Sequence, residues 1–175
     1  MVLENSQVAG GASPVNSLMA STELAVLPST TALLFDFDGV LARTVNLHVA
    51  AWERTFTELG WSEPPRECEQ AGELDDRALI RLVFGRWGVL DVDVSAWVQR
   101  KQRITLEMLG ERSVLFPGVR ELIQHLKDQG SGKLAVVSST WRENILKTLE
   151  AAGLRESFDL IVAKEDVEQV KPHPE

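Results

Sequence analysis

The stretch Leu33-Leu34-Phe35-Asp36-Phe37-Asp38-Gly39-Val40-Leu41 decides how this chain is read. Together with Ala32 its apolar start has the length of one strand and no polar face. That predicts a parallel strand over 32–37 covered by helices on each side. Two aspartates then stand two residues apart, with a glycine directly after. On a strand, or on the turn that leaves it, Asp36 and Asp38 point to the same side. Two carboxylates on one side repel unless a cation or a proton lies between them. Such a pair suits two tasks. One carboxylate can take a phosphoryl group as a nucleophile; the other can protonate the leaving oxygen and then activate water. A divalent ion with oxygen ligands would neutralise the pair, and Mg²⁺ is the natural candidate. Gly39 permits a tight turn that brings backbone N–H groups near an anion. The competing reading is a strand end with two solvated aspartates in a turn.

Downstream, the apolar spacing turns helical. Thr44 is placed to cap a helix reaching about Leu59, with Leu47, Ala51, Phe56 and Leu59 on one face. A second helix is expected over about 75–87, with Leu79, Ile80, Leu82 and Val83 inward. A third is expected over about 94–109, carrying Val94, Trp97, Val98, Ile104 and Met108. Nothing from Thr44 to Ser113 reads as a strand, so residues 44–113 form a helical block. Beyond it, Pro117 is placed as the first residue of a helix that Gly130 ends. Lys133–Val137 reads as a second buried strand, about 141–152 as a helix, and Phe158–Val162 as a third strand. The order strand, helix, strand, helix, strand implies right-handed crossovers and a parallel sheet. The fold class is therefore α/β: a Rossmann-like parallel core of three strands, over 30–43 and 114–175, with an α-helical insert after the first strand.

Ligands of an open parallel sheet bind beyond the carboxyl ends of its strands. Three polar signals fall there: the aspartate pair, Ser138-Ser139-Thr140, and Lys171 with Pro172-His173-Pro174. Ser138 offers a hydroxyl to a phosphate oxygen. Ser139 and Thr140 offer N–H groups just before a helix, where the dipole favours an anion; helix capping is the alternative, above all for Thr140. Lys171 can hold its charge over a phosphate, although a single lysine is usually a solvated surface residue.

The bulk properties agree with this reading. A chain of 175 residues suffices for one domain, or a core with a small insert. Its hydrophobic fraction of 44% and charged fraction of 25% are those of a globular protein. A net charge of −8 argues against nucleic acid or an anionic membrane as the main partner, and leaves a small phosphorylated metabolite open. Cys68 is the only cysteine, which excludes an intrachain disulfide and a cysteine metal cluster and points to a reducing, cytoplasmic setting. No apolar run approaches the roughly 18 residues that span a bilayer. Residues 1–29 are rich in Ser, Ala, Gly and Thr and lack Lys and Arg. They fit neither a secretory signal nor a transit peptide, and read as a disordered tail.

FDFDGVL, LAVVSST and VKPHPE, in this order, resemble the first three motifs of the haloacid dehalogenase superfamily. The likeness is greatest to its phosphatase and phosphoglucomutase-like subfamily, which has a helical cap after the first motif. It covers about residues 31–175. The resemblance implies Asp36 as the nucleophile and Asp38 as the general acid and base. It implies Ser138 and Lys171 as ligands of the transferring phosphoryl group. The Asp36 side chain and the Asp38 backbone carbonyl would ligate Mg²⁺. The segment Leu47-His48-Val49-Ala50-Ala51-Trp52 is similar to the cap's first helix, where His48 would face the site; a packed or exposed histidine is the alternative. Trp52 reads as core, and Arg142 as a solvated helix start.

Four departures qualify the resemblance. Arg43 stands where the family usually has Asp, and Asn46 replaces an acid. The loop Gly72-Glu73-Leu74-Asp75-Asp76-Arg77 has Ala71 and Asp75 where the mutase relative has basic residues for a distal phosphate, which argues against a sugar bisphosphate mutase. The family's fourth motif, an acidic pair that completes the Mg²⁺ shell, is expected beyond Glu175; Glu165-Asp166 is a poor substitute. The chain is therefore expected to be a fragment, a truncated product, or dependent on a partner chain. The function expected is a Mg²⁺-dependent phosphatase for a small phosphorylated metabolite. A phosphomutase of the same fold and an inactive regulatory fragment are the alternatives.

Overall fold

The structure, a computed structural model, describes residues 31–110, 114–130 and 132–173. The tail expected over 1–29, the helical block's end at Ser113, and Pro174-Glu175 lie outside these residues. Three strands, β1 (Ala32–Phe35), β2 (Lys133–Val137) and β3 (Leu160–Val162), form a parallel sheet in the order β1-β2-β3. In register Leu34 pairs with Ala135, which pairs with Leu160, and Val136 pairs with both Phe35 and Ile161. Five α-helices among the described residues accompany the sheet. α1 (Val45–Glu58), α2 (Asp76–Arg86) and α3 (Val94–Gly110) lie between β1 and β2 in sequence. α4 (Val119–Asp128) follows them, and α5 (Arg142–Ala151) joins β2 to β3.

The apolar side chains sort into two clusters. In the first, Leu134, Val136 and Ile161 of the sheet meet Ile123 and Leu126 of α4 and Ile145 and Leu149 of α5. In the second, Trp52 and Phe56 of α1 meet Leu79, Ile80 and Val83 of α2 and Val98 of α3. The second is closed by aromatic edges: Phe56 lies 4.7 Å from Trp97 and 5.0 Å from Trp61, centroid to centroid. Cys68 is buried within it, and burial pushes its thiol up to about 12.

The structure corrects several expectations. β1 is not covered on both faces. Side chains alternate along a strand, and Leu33 and Phe35 pack on the first cluster while Leu34 is 68% exposed, as is much of Leu160 in the same row. α4 and α5 both contribute to that one cluster, so it is one face of the sheet that they bury. Pro117 does not open α4. Gly118 follows it at φ 85°, a left-handed conformation that no helix interior accepts, and the helix starts at Val119. Leu82 is exposed, because the inward stripe of α2 runs through Asp76, Leu79, Ile80 and Val83. The helix after β2 starts at Arg142 with Trp141 as its cap residue, so neither Thr140 nor its hydroxyl caps it. The third strand begins at Leu160, two residues later than expected. No described residue of the helical block is in a strand.

Ile123 is fully buried between α4 and the sheet. Ile123→Ala should lower unfolding free energy by about 2–5 kcal/mol in urea denaturation, whereas the exposed Leu90→Ser should change it by less than about 0.5 kcal/mol.

Candidate active site

The turn leaving β1 alternates as a strand does. Phe37 is fully buried in the first cluster, while Asp36 and Asp38 on either side line a cavity of about 320 Å³. Phe37 holds the turn from its backbone too: its carbonyl accepts from Leu41 N–H at 3.0 Å and Ala42 N–H at 2.9 Å. Gly39 has φ 78° and donates its N–H to Ala42 O at 2.8 Å. It therefore shapes the turn and is not among the residues lining the cavity.

The two carboxylates have different neighbours. Lys171 Nζ donates to Asp36 Oδ1 at 2.6 Å and to the Val137 carbonyl, at the end of β2, at 3.0 Å. The lysine is thus fixed between two strand ends. Asp38 Oδ1 accepts from Thr44 Oγ1 at 2.5 Å and lies 3.4 Å from His48 Nε2, and Asp38 Oδ2 accepts from Ser138 Oγ at 3.4 Å. Burial pushes the Asp38 carboxyl up, but the hydrogen bonds from His48, Thr44 and Ser138 outweigh it and hold the group below the usual carboxylate range. Thr44 is the N-cap residue of α1 by position but makes no side-chain cap. Its hydroxyl is used on Asp38.

His48 is not an isolated ring. Its Nδ1 lies 3.1 Å from Lys101 Nζ, which donates to both Asp76 oxygens, at 3.0 and 3.3 Å. An ammonium can only donate, so Nδ1 accepts; in the neutral ring the proton then sits on Nε2, facing Asp38. Trp52 Nε1 donates to Asp76 Oδ1 at 3.1 Å. Lys101 is only 2% exposed and Asp76 8%. Burial pushes the Asp76 carboxyl up, yet the Lys101 charge and hydrogen bond prevail and hold it below its ordinary value. One buried network therefore ties α1, α2 and α3 together and ends on Asp38.

The cavity brings together Asp36, Asp38, His48, Ser138, Ser139, Thr140 and Lys171. Ser138 Oγ also accepts the Thr140 N–H at 3.2 Å, so that N–H is already used. Trp52 is fully buried, as the sequence suggests, but its indole N–H is used in the network. Arg142 does not reach the cavity. Its guanidinium pairs with Asp166 and donates to Ile161 O, and its N–H meets Glu165. Glu165 and Asp166 thus serve the start of α5 and do not line the cavity.

Sequence reasoning missed Thr44 as a partner of Asp38, and missed Lys101, Asp76 and Lys164. Two of these carry a signal. Lys101 and Asp76 both stand on the apolar stripes of their helices, Lys101 between Trp97 and Ile104, Asp76 ahead of Leu79, Ile80 and Val83. A charged residue on a buried stripe needs a buried partner.

The donor set suits a hard cation. Asp36 has Oδ1 on Lys171 and would offer Oδ2, whereas both Asp38 side-chain oxygens are engaged, which leaves its backbone carbonyl as the contact the family resemblance implies. Among the described residues no cluster of three His, Cys, Asp or Glu could hold a metal. Mg²⁺ accepts so few protein ligands, since it commonly keeps several waters and takes one or two carboxylates plus substrate phosphate.

A family model of haloacid dehalogenase-like hydrolases matches residues 33–175, and the chain belongs to that family. The pyrophosphatase PpaX of Halalkalibacterium halodurans is 50% identical over 151 residues, covering 82% of this chain and 64% of that protein. The chloroplastic protein SUPPRESSOR OF QUENCHING 1 of Arabidopsis thaliana is 32% identical over 93% of this chain, which spans 17% of that protein. A crystal structure of CbbY from Rhodobacter sphaeroides in complex with xylulose-(1,5)bisphosphate superposes with a TM-score of 0.70 at 30% identity, covering 83% of this chain and 68% of the other. The chain thus spans a little under two thirds of the pyrophosphatase and a small part of the plant protein. No helix among the described residues is long and apolar enough to cross a membrane.

Asp76 has a folded value below the carboxylate value of 3.8, so the stability it contributes is full above 3.8 and is lost as pH falls through the folded value. Asp76→Asn should remove that part of the acid dependence in denaturation at stepped pH. At neutral pH Lys101→Met, which leaves Asp76 buried without its cation, should cost about 3–5 kcal/mol.

Proposed function

We propose that this cavity is the catalytic centre of a Mg²⁺-dependent phosphatase acting on a small phosphorylated metabolite. The observation that carries the reading is the division of the aspartate pair: Asp36 faces Lys171, while Asp38 is held by Thr44, His48 and Ser138. The names of the relatives support it, since they include a pyrophosphatase, CbbY with a bound bisphosphate, and a phosphorylated carbohydrates phosphatase of Thermotoga maritima.

In this reading an Asp36 carboxylate oxygen attacks phosphorus. The phosphorus–oxygen bond to the leaving group breaks, and the departing oxygen takes the proton of Asp38. The aspartyl-phosphate on Asp36 is then attacked by water, whose proton returns to Asp38, and inorganic phosphate leaves. In the free site Asp38 is held ionised; a phosphate anion arriving beside it raises its proton affinity, which suits the acid step. Lys171 and Ser138 hold the phosphoryl oxygens. Asp36 and the Asp38 carbonyl would hold Mg²⁺, which would offset the negative charge gathered on the phosphoryl oxygens. Residues 30–43 and 114–175 act as the core and residues 44–113 as a cap over the cleft. The buried free thiol of Cys68 suits a reducing, cytosol-like compartment.

The test is phosphate release from a panel of phosphate monoesters by the full chain, with and without Mg²⁺. Turnover should require Mg²⁺ and vanish in Asp36→Asn. Asp38→Asn should lower kcat by about a hundred- to ten-thousand-fold, the usual range for a lost general acid and base. Equal turnover by the native chain and Asp36→Asn would overturn the reading.

A further inference from the structure

The far end of the cavity has a charge arrangement of its own. Its lining includes Glu73, Asp75 and Asp76 from the loop before α2 and the start of that helix, and Lys164 and Trp141 from the sheet side. Lys164 Nζ forms an ion pair with Asp75 across the gap between them and lies 5.4 Å from the centre of the Trp141 ring. The pair is well sheltered, with Lys164 17% and Asp75 32% exposed at the side chain. Asp75 is fixed in other ways as well. It caps α2 by accepting the Arg77 N–H at 2.9 Å, and its neighbour Asp76 is anchored by Lys101 and Trp52.

The loop itself is seated tightly against α1. A Cβ added at Gly72 would stand 2.9 Å from Val45 Cγ1, so the loop backbone lies directly on the start of α1. Gly72, Asp75 and Asp76 thus hold Glu73 and Asp75 in place at the cavity wall.

The lysine charges of the cavity are all engaged. Lys171 meets Asp36, Lys101 meets Asp76, and Lys164 meets Asp75, while Glu73 and Asp38 add two further carboxylates to the same lining. A phosphoryl group at the Asp36 end finds Lys171 and Ser138. A second anion at the far end finds the Glu73 carboxylate and a lysine that a fixed carboxylate already neutralises. Like charges brought together in a sheltered cleft oppose binding.

We propose that the Asp75–Lys164 ion pair is the specificity latch of this cleft: it holds an acidic loop across the far end, so that the site takes phosphate monoesters whose remaining part is uncharged and rejects those with a second, distal phosphate. The inference rests on the phosphate-ester reading above and narrows its substrate class.

Calorimetry on the full chain with Mg²⁺ tests it, with Asp36→Asn introduced throughout to stop turnover. The probes are inorganic phosphate, glucose 6-phosphate and glucose 1,6-bisphosphate. The monophosphate should bind about tenfold more tightly than the bisphosphate. Asp75→Asn keeps a good cap for α2 while releasing Lys164, and should bring the two affinities together or reverse their order. Lys164→Met, which leaves Asp75 without its cation while Asp76 and Gly72 still seat the loop, should widen the gap. Equal binding of the two sugars before the loop is altered, or a ratio that neither variant moves, would overturn the latch while inorganic phosphate still binds. Failure of inorganic phosphate to bind would overturn the phosphate-ester reading, and this inference with it.

Discussion

Two carboxylates placed two residues apart at the end of a strand repel each other, and the site is organised around that repulsion. The turn from Asp36 to Ala42 cannot relieve it by rotating one side chain inward, because Phe37 already fills the core between them. The relief comes from outside the turn. Asp36 is matched to a cation that arrives about 135 residues later, Lys171, itself seated on the β2 carbonyl end. Asp38 is matched to neutral or ring donors from α1 and β2. The two acids of one tripeptide thereby acquire different properties, one beside a positive charge seated on two strand ends, the other in a ring of hydrogen-bond donors.

The second of these environments reaches into the helical block. A buried lysine–aspartate pair is costly to desolvate and contributes to stability only when every lone pair and proton is used. Lys101 and Asp76 meet that condition through Trp52 and His48. The helices α1, α2 and α3 are therefore joined by a polar contact as well as by their aromatic cluster, and that contact ends on the carboxylate of the core strand. Any displacement of the helical block relative to β1 must act on the His48–Asp38 contact.

Much of this was legible in the sequence, for identifiable reasons. β2 has the bounds Lys133–Val137 that its apolar run suggests, and the helices fall within a residue or two of their periodicity, because stripes such as Leu79, Ile80 and Val83 mark one face unmistakably. The residues singled out at the strand ends do meet around one cavity, apart from Gly39. What was not legible depends on choices that local sequence leaves open. An all-apolar strand gives no sign of which row is covered, so the exposure of Leu34 was hidden. A threonine before a helix can cap it or donate elsewhere, and Thr44 does the latter. Lys164 follows β3 with nothing nearby to mark it; its partner Asp75 is 89 residues away, and only the folded chain joins them.

In the proposed mechanism Asp36 attacks phosphorus and carries the phosphoryl group. Mixing the chain with a phosphate monoester and Mg²⁺, quenching in acid and mapping the phosphorylated peptide by tandem mass spectrometry addresses it directly. The expected result is a hydroxylamine-labile phosphoryl group on Asp36 that is absent from Asp36→Asn. Turnover with the phosphoryl group on another residue, or with no phosphorylated protein at any time, would contradict it.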